Sequence, residues 1–413
     1  MRIEIGRSWW RTRRAMRMSA QALAAHRQRQ WTALQPALAH TPALAPFAGK
    51  PLADFPVTGI ADMRADYGQW NSLGLTDACL RAMADAAERA EDTGPVTAGW
   101  STGTGGGARG MFVADAHERA DYLGQTLARL LPPREMLRRQ RIALHLRAGN
   151  ALYSDVERGR IAFRHFPLQR TPDETSSLLQ QFNPTILIAP PHRLLCFARE
   201  GAQFPSLRHL FTGSEPISVA ESDWISDILG LEPRAIWQAT EGFLGAECAE
   251  GRLHLNDHAM AIELEAIPGT AAFRPIITDL RRRSQPIVRV RGDDVLELAG
   301  TGQCPCGFAG RVIHPVQGRF TDIWRFTNLA VLPREVVEAV EVAFAGQWAW
   351  QAMADARKIS LRVQSTCPEA IVTRARESLA SKVPVPVNIV VDMPPWAYPA
   401  WTGLKRHKVL WHG

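Results

Sequence analysis

The sequence predicts an α/β protein with a large N-terminal part built from sheets and helices and a small α+β part at the C-terminal end. Its 413 residues, of which 46% are hydrophobic, are enough for two or three domains with sizeable cores. Helical patterns alternate with short apolar runs along most of the chain, and the pattern changes after about Thr327. These three observations define the fold class.

The first 34 residues are rich in arginine and could pass for an organelle transit peptide. They also contain Glu4 and two adjacent tryptophans, and transit peptides are poor in acidic residues. Apolar side chains then recur with helical spacing at Leu23, Trp31 and Leu34. We therefore expect an amphipathic helix of the mature protein rather than a targeting segment, and we do not expect export.

Helices and buried strands alternate through the middle of the chain. Two helices are predicted at residues 76–92 and 117–131, and the first of them has its N-cap at Thr76 or Asp77. Buried strands that run into loops are predicted at residues 185–191 and 207–216. Strands of a more open β region are predicted at residues 273–280, 286–298 and 311–326.

The C-terminal pattern predicts a small α+β unit with its own core. It reads as helix, strand, helix and strand at residues 332–346, 359–364, 369–382 and 385–393. We place the boundary near residues 321–327, which divides the chain into domains at 1–322 and 323–413.

Composition limits the function classes. The net charge of +7 and the pI near 9.4 favour anionic ligands or partners, such as nucleotides, coenzyme A or an acidic carrier protein. The charge is too diffuse to indicate nucleic acid, and no run of 18 apolar residues predicts a membrane span. Six cysteines in a chain of this length indicate a reducing compartment rather than a disulfide scaffold. We expect a cytoplasmic protein.

Residues 100–112, WSTGTGGGARGMF, form the most unusual stretch of the chain. A P-loop would need a Gly-Lys-Ser/Thr triplet, which the chain lacks. Gly105, Gly107 and Gly110 satisfy a dinucleotide pattern, but no clear buried strand precedes them. The hydroxyl groups favour a third interpretation, in which side chains and backbone N–H groups ahead of a helix N-terminus bind phosphate oxygens and Arg109 adds charge. A solvated linker is the alternative.

A second group of residues is typical of a metal site. Cys304 and Cys306 form a Cys-x-Cys pair, and Cys248 lies six residues before His254. Three thiolates and one imidazole could complete a closed tetrahedral zinc site that links two loops. The alternatives are reduced, buried cysteines without a metal, and His258 in place of His254.

Several motifs in order resemble those of the adenylate-forming superfamily. They are STGTGGGARGMF, LFTGSEP, IWQATEGFLG, the stretch ITDLRRRSQPIVRVRGDDVLEL, VQGRFTDIW and WTGLKRHKV, and together they extend over most of residues 50–410. The chain most closely resembles phenylacetate–CoA ligases and the deazaflavin-adenylating, coenzyme F-type synthetases. Some relatives of the former carry a zinc ion of the kind described above. The resemblance implies a large N-terminal adenylation domain and a small, mobile C-terminal domain.

The resemblance also implies roles for individual residues. Glu241 matches a Mg²⁺ ligand, Thr240 a phosphate-contacting hydroxyl, and Trp237 the aromatic residue that flanks adenine. Asp294 matches the acid that binds both ribose hydroxyls, although Asp293 is adjacent. The remaining matches are Ser101, Thr102, Gly103, Thr104 and Gly105 for the phosphates, Gly213, Ser214, Glu215 and Gln238 for the nucleotide, Arg319 for ribose and phosphates, and Lys405 for the α-phosphate.

The chain departs from the family pattern in two places. Ala108 and Arg109 stand where many relatives have Pro-Lys, and Thr321 stands at the usual acidic hinge, with Asp322 next to it. Lys408 competes with Lys405 for the late-lysine role. Small and aromatic residues would line the acid pocket, namely Phe211, Gly213, Ser214, Gly242 and Phe243, although they suit a packed core equally well.

The resemblance implies that ATP and Mg²⁺ activate a carboxylic acid, aryl or otherwise hydrophobic, as an acyl-adenylate. Transfer to a thiol follows, either on CoA or on the phosphopantetheine of an acyl carrier protein, and a homodimer is a further expectation. Three alternatives remain open at this point: transfer of AMP to a hydroxyl of a deazaflavin-like substrate, a catalytically silent nucleotide-binding protein, and a Rossmann oxidoreductase.

Overall fold

The computed structural model describes residues 2–89, 94–101, 109–146, 160–300, 302–394 and 406–413. Its α-helices in these ranges are α1 (Arg2–Ala15), α2 (Ala20–Ala39), α3 (Ile60–Ala65), α4 (Asp77–Glu88), α5 (Ala116–Leu130), α6 (Pro172–Phe182), α7 (Pro191–Arg199), α8 (Val219–Leu229), α9 (Pro333–Phe344) and α10 (Glu369–Ala380). None of these helices is long and apolar enough to cross a membrane.

The β-strands in the described ranges are numbered in chain order. They are β1 (Thr58–Gly59), β2 (Val96–Trp100), β3 (Met111–Asp115), β4 (Gln140–Leu144), β5 (Ile161–His165), β6 (Ile186–Ala189), β7 (His209–Thr212), β8 (Arg234–Ala239), β9 (Gly242–Glu247), β10 (Leu253–Leu255), β11 (Met260–Ala266), β12 (Phe273–Asp279), β13 (Val290–Arg291), β14 (Val312–Ile313), β15 (Trp324–Phe326), β16 (Leu329–Val331), β17 (Trp350–Ala354), β18 (Ile359–Gln364), β19 (Val387–Met393) and β20 (Val409–Trp411).

An eight-stranded sheet forms the centre of the N-terminal part, in the order β14-β10-β9-β8-β7-β6-β4-β5. The strands from β8 to β5 run parallel, and β9, β10 and β14 are antiparallel. The predicted buried strands at 185–191 and 207–216 are confirmed as β6 and β7. Continuous apolar runs are typical of parallel strands because helices cover both faces of the sheet.

Short capping motifs begin α4, which packs against β2, and α5, which packs against β3 and β9. Helix α4 begins after Thr76, whose side chain accepts a hydrogen bond from the backbone N–H of Cys79. Helix α5 begins with a capping box between Asp115 and Glu118. The predicted helices at 76–92 and 117–131 are therefore confirmed within the described residues.

The N-terminal helices belong to the folded core. The Ser8 hydroxyl donates to the backbone oxygen of Asp121 on α5, at 2.8 Å. A Cβ atom on Gly124 of α5 would lie 2.6 Å from the backbone oxygen of Ile5, so only glycine allows this approach of α1. The predicted helical spacing at Leu23, Trp31 and Leu34 is confirmed, since all three side chains are buried.

A four-stranded sheet, β1-β13-β12-β11, and a β2–β3 hairpin complete the N-terminal part. The hairpin corrects two expectations about the glycine stretch. A partly buried strand, β2, does precede the stretch, and the antiparallel strand β3 rather than a helix follows it. The short strand β2 was missed because its five residues include Gly99 and show no clear alternation. A dinucleotide fingerprint requires a strand, a glycine turn and then a helix, so the hairpin excludes that interpretation.

The C-terminal residues form their own packed unit. Strands β15 and β16 form a hairpin, and β19-β18-β17-β20 form a sheet against which α9 and α10 pack. Its hydrophobic core includes Trp324, Phe344, Trp350 and Leu361, each almost fully buried. The predicted helices and strands of this part are confirmed, and the domain division at residue 322 stays a prediction.

Candidate active site

A cavity of about 830 Å³ lies among the central sheet, the four-stranded sheet, the β2–β3 hairpin and helix α5. One end has polar and charged walls, which include Ser101, Ser214, Gln238, Thr240, Glu241, Arg282, Asp293, Asp294 and Arg319. The other end extends as an apolar arm between α5 and the central sheet. A single cavity therefore offers a polar site and an apolar site side by side.

The base of the glycine hairpin is fixed at the polar end. The backbone N–H of Ser101 donates to the oxygen of Gly110 at 2.8 Å, and the N–H of Gly110 donates to the Ser101 hydroxyl at 3.0 Å. A Cβ atom on Gly110 would lie 2.8 Å from the Thr240 hydroxyl oxygen, so the hairpin packs directly on the Thr240 turn. Thr102, Gly103, Thr104 and Gly105 lie outside the described residues, and their contact with phosphates stays a prediction.

Arg109 lies at the base of the glycine hairpin, and its predicted contact with phosphate stays a prediction. Its Nε donates to the backbone oxygen of Ser101 at 2.7 Å, and its Nη2 pairs with Glu88 Oε1 at 2.5 Å. Its guanidinium also lies 5.9 Å from the centre of a Trp100 ring. These contacts hold the base of the hairpin against α4, which explains why the side chain is absent from the described cavity wall.

Thr240 and Glu241 occupy the tight turn between β8 and β9. The turn continues into Gly242, whose φ of +146° and position both exclude a side chain: a Cβ atom would lie 2.5 Å from Met260 Cε. Burial raises the pKa of Glu241, and Asp294 and Asp293 add to the rise. A buried carboxylate that faces a cavity beside two other acids provides the oxygen ligands that Mg²⁺ prefers.

Trp237 is buried in the core and does not lie on the described part of the cavity wall. Its ring packs inside the fold and its indole N–H is directed toward Asp294, and a contact with adenine stays a prediction. That N–H donates to Asp294 Oδ2 at 2.7 Å, which fixes the carboxylate at the cavity wall. Arg319 pairs with Asp294 through an isolated β-bridge and also lines the cavity.

The neighbouring acid, Asp293, also lines the cavity. Its side chain is 42% exposed and pairs with Arg274 at 3.3 Å. Asp294 is the acid oriented by a buried donor, so the geometry favours it over Asp293 for a fixed ligand contact.

Arg282 is a cavity residue that the sequence interpretation missed. Its Nη1 donates to the backbone oxygen of Thr240 at 2.6 Å, and its Nη2 donates to Gln285 Oε1. Asp279, at the end of β12, accepts the backbone N–H of Arg282 at 3.2 Å, and burial raises the pKa of this acid to about 6. The signal was present as three consecutive arginines directly after a predicted strand.

The GSEP motif, residues 213–216, follows β7. Its first two residues line the cavity, and its glutamate is buried among charged partners. Gly213 and Ser214 line the cavity, and Ser214 adopts a φ of +75°. Glu215 does not line the described cavity, and its contact with the nucleotide stays a prediction. It is buried, and it accepts hydrogen bonds from the backbone N–H and Nδ1 of His192 and from the backbone N–H and Nε of Arg406.

Glu215 belongs to a buried ionic cluster that joins the N-terminal and C-terminal parts. We call it the latch; it consists of Glu215, Glu221, Glu341, Arg406 and Lys408. The Lys408 ammonium donates to Glu221 and Glu341, and Arg406 donates to Glu215 and Glu221. Burial opposes ionisation of Glu215, but the Arg406 guanidinium and His192 hold the pKa of that carboxyl well below its ordinary value.

The latch contains Lys408, the second of the two late lysines. Lys405 lies outside the described residues, so its contact with the α-phosphate stays a prediction. Lys408 is engaged by two buried carboxylates, with 9% of its side chain exposed, and is therefore not free to enter the cavity. His407 lies near Asp322, with Nε2 and Oδ2 3.1 Å apart.

Cys248, His254, Cys304 and Cys306 converge away from the cavity, with their four ligand atoms within 4.8 Å of one another. The Sγ atoms of Cys248 and Cys304 are 3.8 Å apart, which is too far for a disulfide bond of about 2.05 Å. His254 Nδ1 lies 2.8 Å from the oxygen of Gly310, so this nitrogen carries the proton and Nε2 is the ligand atom. His258 lies outside this group of four, which disfavours the alternative ligand.

Comparison with known proteins identifies the fold. No protein-family model and no curated protein matches the chain. The solved structure of a 2-hydroxyisobutyryl-CoA ligase in the postadenylation state, in complex with 2-HIB-AMP, has a TM-score of 0.70 at 14% identity, over 96% of this chain and 90% of that one. The same ligase in the thioesterification state gives a TM-score of 0.57 at 17% identity, over 92% and 88%.

A second neighbour is the anthranilate CoA ligase AuaEII in complex with anthranoyl-AMP. It has a TM-score of 0.53 at 15% identity, over 72% of this chain and 64% of that one. The chain therefore has the α/β fold of adenylate-forming ligases, as predicted. Neither of these neighbours is a deazaflavin-adenylating synthetase, and that closer resemblance stays a prediction.

Proposed function

We propose that this protein is an ATP-dependent adenylate-forming ligase that activates a hydrophobic carboxylic acid and transfers it to a thiol. In the first step, a carboxylate oxygen attacks the α-phosphorus of ATP, and pyrophosphate leaves. In the second step, a thiolate attacks the carbonyl carbon of the acyl-adenylate, and AMP leaves. The observation that carries the proposal is the continuous cavity, in which a polar end and an apolar arm meet.

The polar end supplies the contacts that a nucleotide requires. Asp294, held by the Trp237 indole, accepts hydrogen bonds from the ribose hydroxyls, and Arg319 offsets phosphate charge. Ser101 and Thr240 contribute hydroxyl groups where the glycine hairpin meets the β8–β9 turn. Arg282 fixes that turn through the Thr240 backbone oxygen.

Glu241 is the proposed ligand for Mg²⁺, with Asp293 and Asp294 near enough to raise its pKa. When bound, the ion supplies positive charge that offsets the charge of the phosphates. Arg282 fixes the turn that carries Glu241 through the Thr240 backbone oxygen, and Glu241 lines the cavity directly after it.

The C-terminal part is proposed to act as the mobile domain, with residues 1–322 as the adenylation domain and residues 323–413 carrying Lys405. Two observations support this division. The C-terminal core around Trp324 and Trp350 is separate from the N-terminal cores. The TM-score is also higher against the postadenylation state of the 2-hydroxyisobutyryl-CoA ligase than against its thioesterification state.

The Cys248–His254–Cys304–Cys306 group is proposed to bind a structural zinc ion. Three sulfur ligands and one imidazole nitrogen are a donor set that zinc prefers, and the closed site joins the β9–β10 region to the loop before β14. The acceptor thiol is proposed to be CoA or carrier-protein phosphopantetheine. A homodimer and a cytoplasmic location stay predictions.

Pyrophosphate release tests the proposal. The protein is incubated with ATP, Mg²⁺ and a panel of carboxylic acids, without a thiol, and acid-dependent pyrophosphate is measured. We expect release with hydrophobic acids, and loss of at least a hundredfold in Asp294→Ala, which removes a charge-assisted contact worth about 3 kcal/mol. Asp293→Ala is the matched control, with a smaller loss. ATP binding without pyrophosphate release from any acid would instead favour AMP transfer to a hydroxyl or a silent nucleotide-binding protein.

A further inference from the structure

The apolar arm of the cavity crosses four neighbouring strands of the central sheet. Its side chains lie in two rows set by the strand register. In one row, Phe163 of β5 is paired with Ile142 of β4, and Ile142 with Ile186 of β6. In the next row, Leu144 of β4 is paired with Ile188 of β6, and Ile188 with Phe211 of β7. All six residues line the cavity.

Helix α5 forms the opposite wall of the arm. Its cavity-lining apolar and hydroxyl-bearing side chains share one helical face, with spacing typical of i, i+4 and i+8 neighbours. They are Tyr122, Leu123, Thr126, Leu127 and Leu130. Glu118, Asp121 and Gln125 of α5 also line the cavity, and Asp121 accepts hydrogen bonds from Gln125 and Arg281. The two walls therefore enclose an elongated, mainly apolar volume that starts at the polar end, beside Gly213, and continues toward the edge strand β5.

The length of the arm follows from the sheet geometry. From Phe211 on β7 to Phe163 on β5 there are three inter-strand steps, or about 14 Å at the usual strand spacing. An extended chain advances roughly 1.2 Å per bond, since three backbone bonds span about 3.5 Å. The arm thus has room for about ten to twelve carbon atoms in a line.

From this geometry, and resting on the proposed function, we infer that the substrate is an extended hydrophobic carboxylic acid of about ten to twelve carbons. Its carboxylate lies at the Ser214 and Thr240 end, and its chain runs across β7, β6 and β4 to β5. Small acids would leave most of the arm unfilled. Each buried methylene contributes about 0.8 kcal/mol, so a longer chain gains affinity until it reaches β5.

The side chain of Ile142 is placed to set the usable length. It lies on β4, midway along the arm, where a larger ring would occupy the path between β6 and β5. Ile161 offers a matched control: it is two residues from Phe163 on β5 and packs against the same core, but it does not line the cavity. Ile142→Phe and Ile161→Phe are therefore the same chemical change at a lining and a non-lining position.

The test measures pyrophosphate release with straight-chain acids from butanoic to hexadecanoic acid, together with benzoic acid. We expect kcat/KM to rise about fourfold per methylene up to about twelve carbons, which corresponds to about 0.8 kcal/mol each. Ile142→Phe is expected to lower kcat/KM for dodecanoic acid at least thirtyfold and to leave hexanoic acid within threefold. Ile161→Phe is expected to keep the wild-type profile. A preference for benzoic or butanoic acid, or an unchanged profile in Ile142→Phe, would overturn the inference.

A binding measurement separates this inference from the proposed function. Calorimetric titration of dodecanoic acid into each folded variant, without ATP, reports occupation of the arm alone. Binding that Ile142→Phe weakens and Ile161→Phe preserves supports the chain-length inference even if no acid releases pyrophosphate, a result that would count against the ligase. Pyrophosphate release with only short acids, and no dodecanoic acid binding, would refute the chain length and leave the ligase standing.

Discussion

Removal of the Glu215 carboxylate is predicted to open the latch between the two parts of the protein. Glu215 accepts the backbone N–H of Arg406 at 2.7 Å and its Nε at 2.9 Å, and both side chains are 3% exposed. Arg406 directly follows Lys405, so the latch fixes one end of the segment that carries the proposed catalytic lysine. Glu215→Ala leaves the guanidinium buried with Glu221 as its remaining carboxylate.

The magnitude follows from burial. Removal of one member of a buried ion pair costs about 3–5 kcal/mol, and the remaining Glu221 contact places this case near about 3 kcal/mol. Arg362 and Asp392 provide a matched exposed pair on the C-terminal sheet, with side chains 35% and 43% exposed. Asp392→Ala is expected to cost less than about 1 kcal/mol.

Hydrogen exchange of residues 406–413 measures the opening of the latch directly. A loss of about 3 kcal/mol corresponds to roughly hundredfold faster exchange of these amides in Glu215→Ala, while Asp392→Ala changes them less than about fivefold. Glu215→Ala is also expected to lose adenylation activity while it retains thiolysis of supplied acyl-adenylate. Equal exchange rates in the two variants would refute the assignment of the latch.

Three further predictions concern Glu221 of the latch, the proposed Mg²⁺ ligand Glu241 and the proposed zinc group. Burial raises the pKa of Glu221, but Arg406 and Lys408 outweigh this effect and lower it from 4.5 to about 2. The contribution of Glu221 to the free energy of unfolding is therefore complete above pH 4.5 and is lost as the pH falls toward 2. Glu221→Gln should flatten that acid limb in urea titrations, and an unchanged slope would contradict the pairing. Burial raises the pKa of Glu241, so protonation should weaken Mg²⁺–ATP binding at a higher pH than for an exposed glutamate, and Glu241→Gln should remove this loss of affinity on the acid side in calorimetric titrations. Metal analysis should find one zinc ion per chain that Cys306→Ala loses, whereas Cys79→Ala, at an exposed cysteine, retains it.

Secondary-structure elements with a clear local signal, such as apolar strands and capped helices, could be predicted from the sequence. Strand β6 is a continuous apolar run, β7 has two apolar residues between His209 and Thr212, and α4 and α5 begin at clear capping residues. The structure also brings together Cys248, His254, Cys304 and Cys306, which the sequence grouped because the two local pairs carry ligand spacing, and zinc binding stays a proposal. What brings the pairs together, namely the pairing of β9, β10 and β14, is a tertiary event.

The sequence did not reveal the hydrogen-bond partners of two predicted nucleotide-site residues, because these partners are distant in the chain. Trp237 contacts Asp294, 57 residues away, and Glu215 contacts Arg406, 191 residues away. A motif identifies both residues but gives no information about which neighbour each one meets. The ion pair of Arg109 was not apparent for the same reason, since its partner Glu88 lies on α4, outside the glycine stretch.

Oxygen transfer tests the central claim, acyl-adenylate formation, most directly. The protein is incubated with ATP, Mg²⁺, an excess of CoA and dodecanoic acid labelled with ¹⁸O in both carboxylate positions, and the AMP product is analysed by mass spectrometry. Attack of the carboxylate on the α-phosphorus, followed by thiolysis, leaves one ¹⁸O atom in each AMP, and this is the result we predict. Formation of AMP that carries no ¹⁸O would contradict the account, because the carboxylate would then never have been bonded to the α-phosphorus.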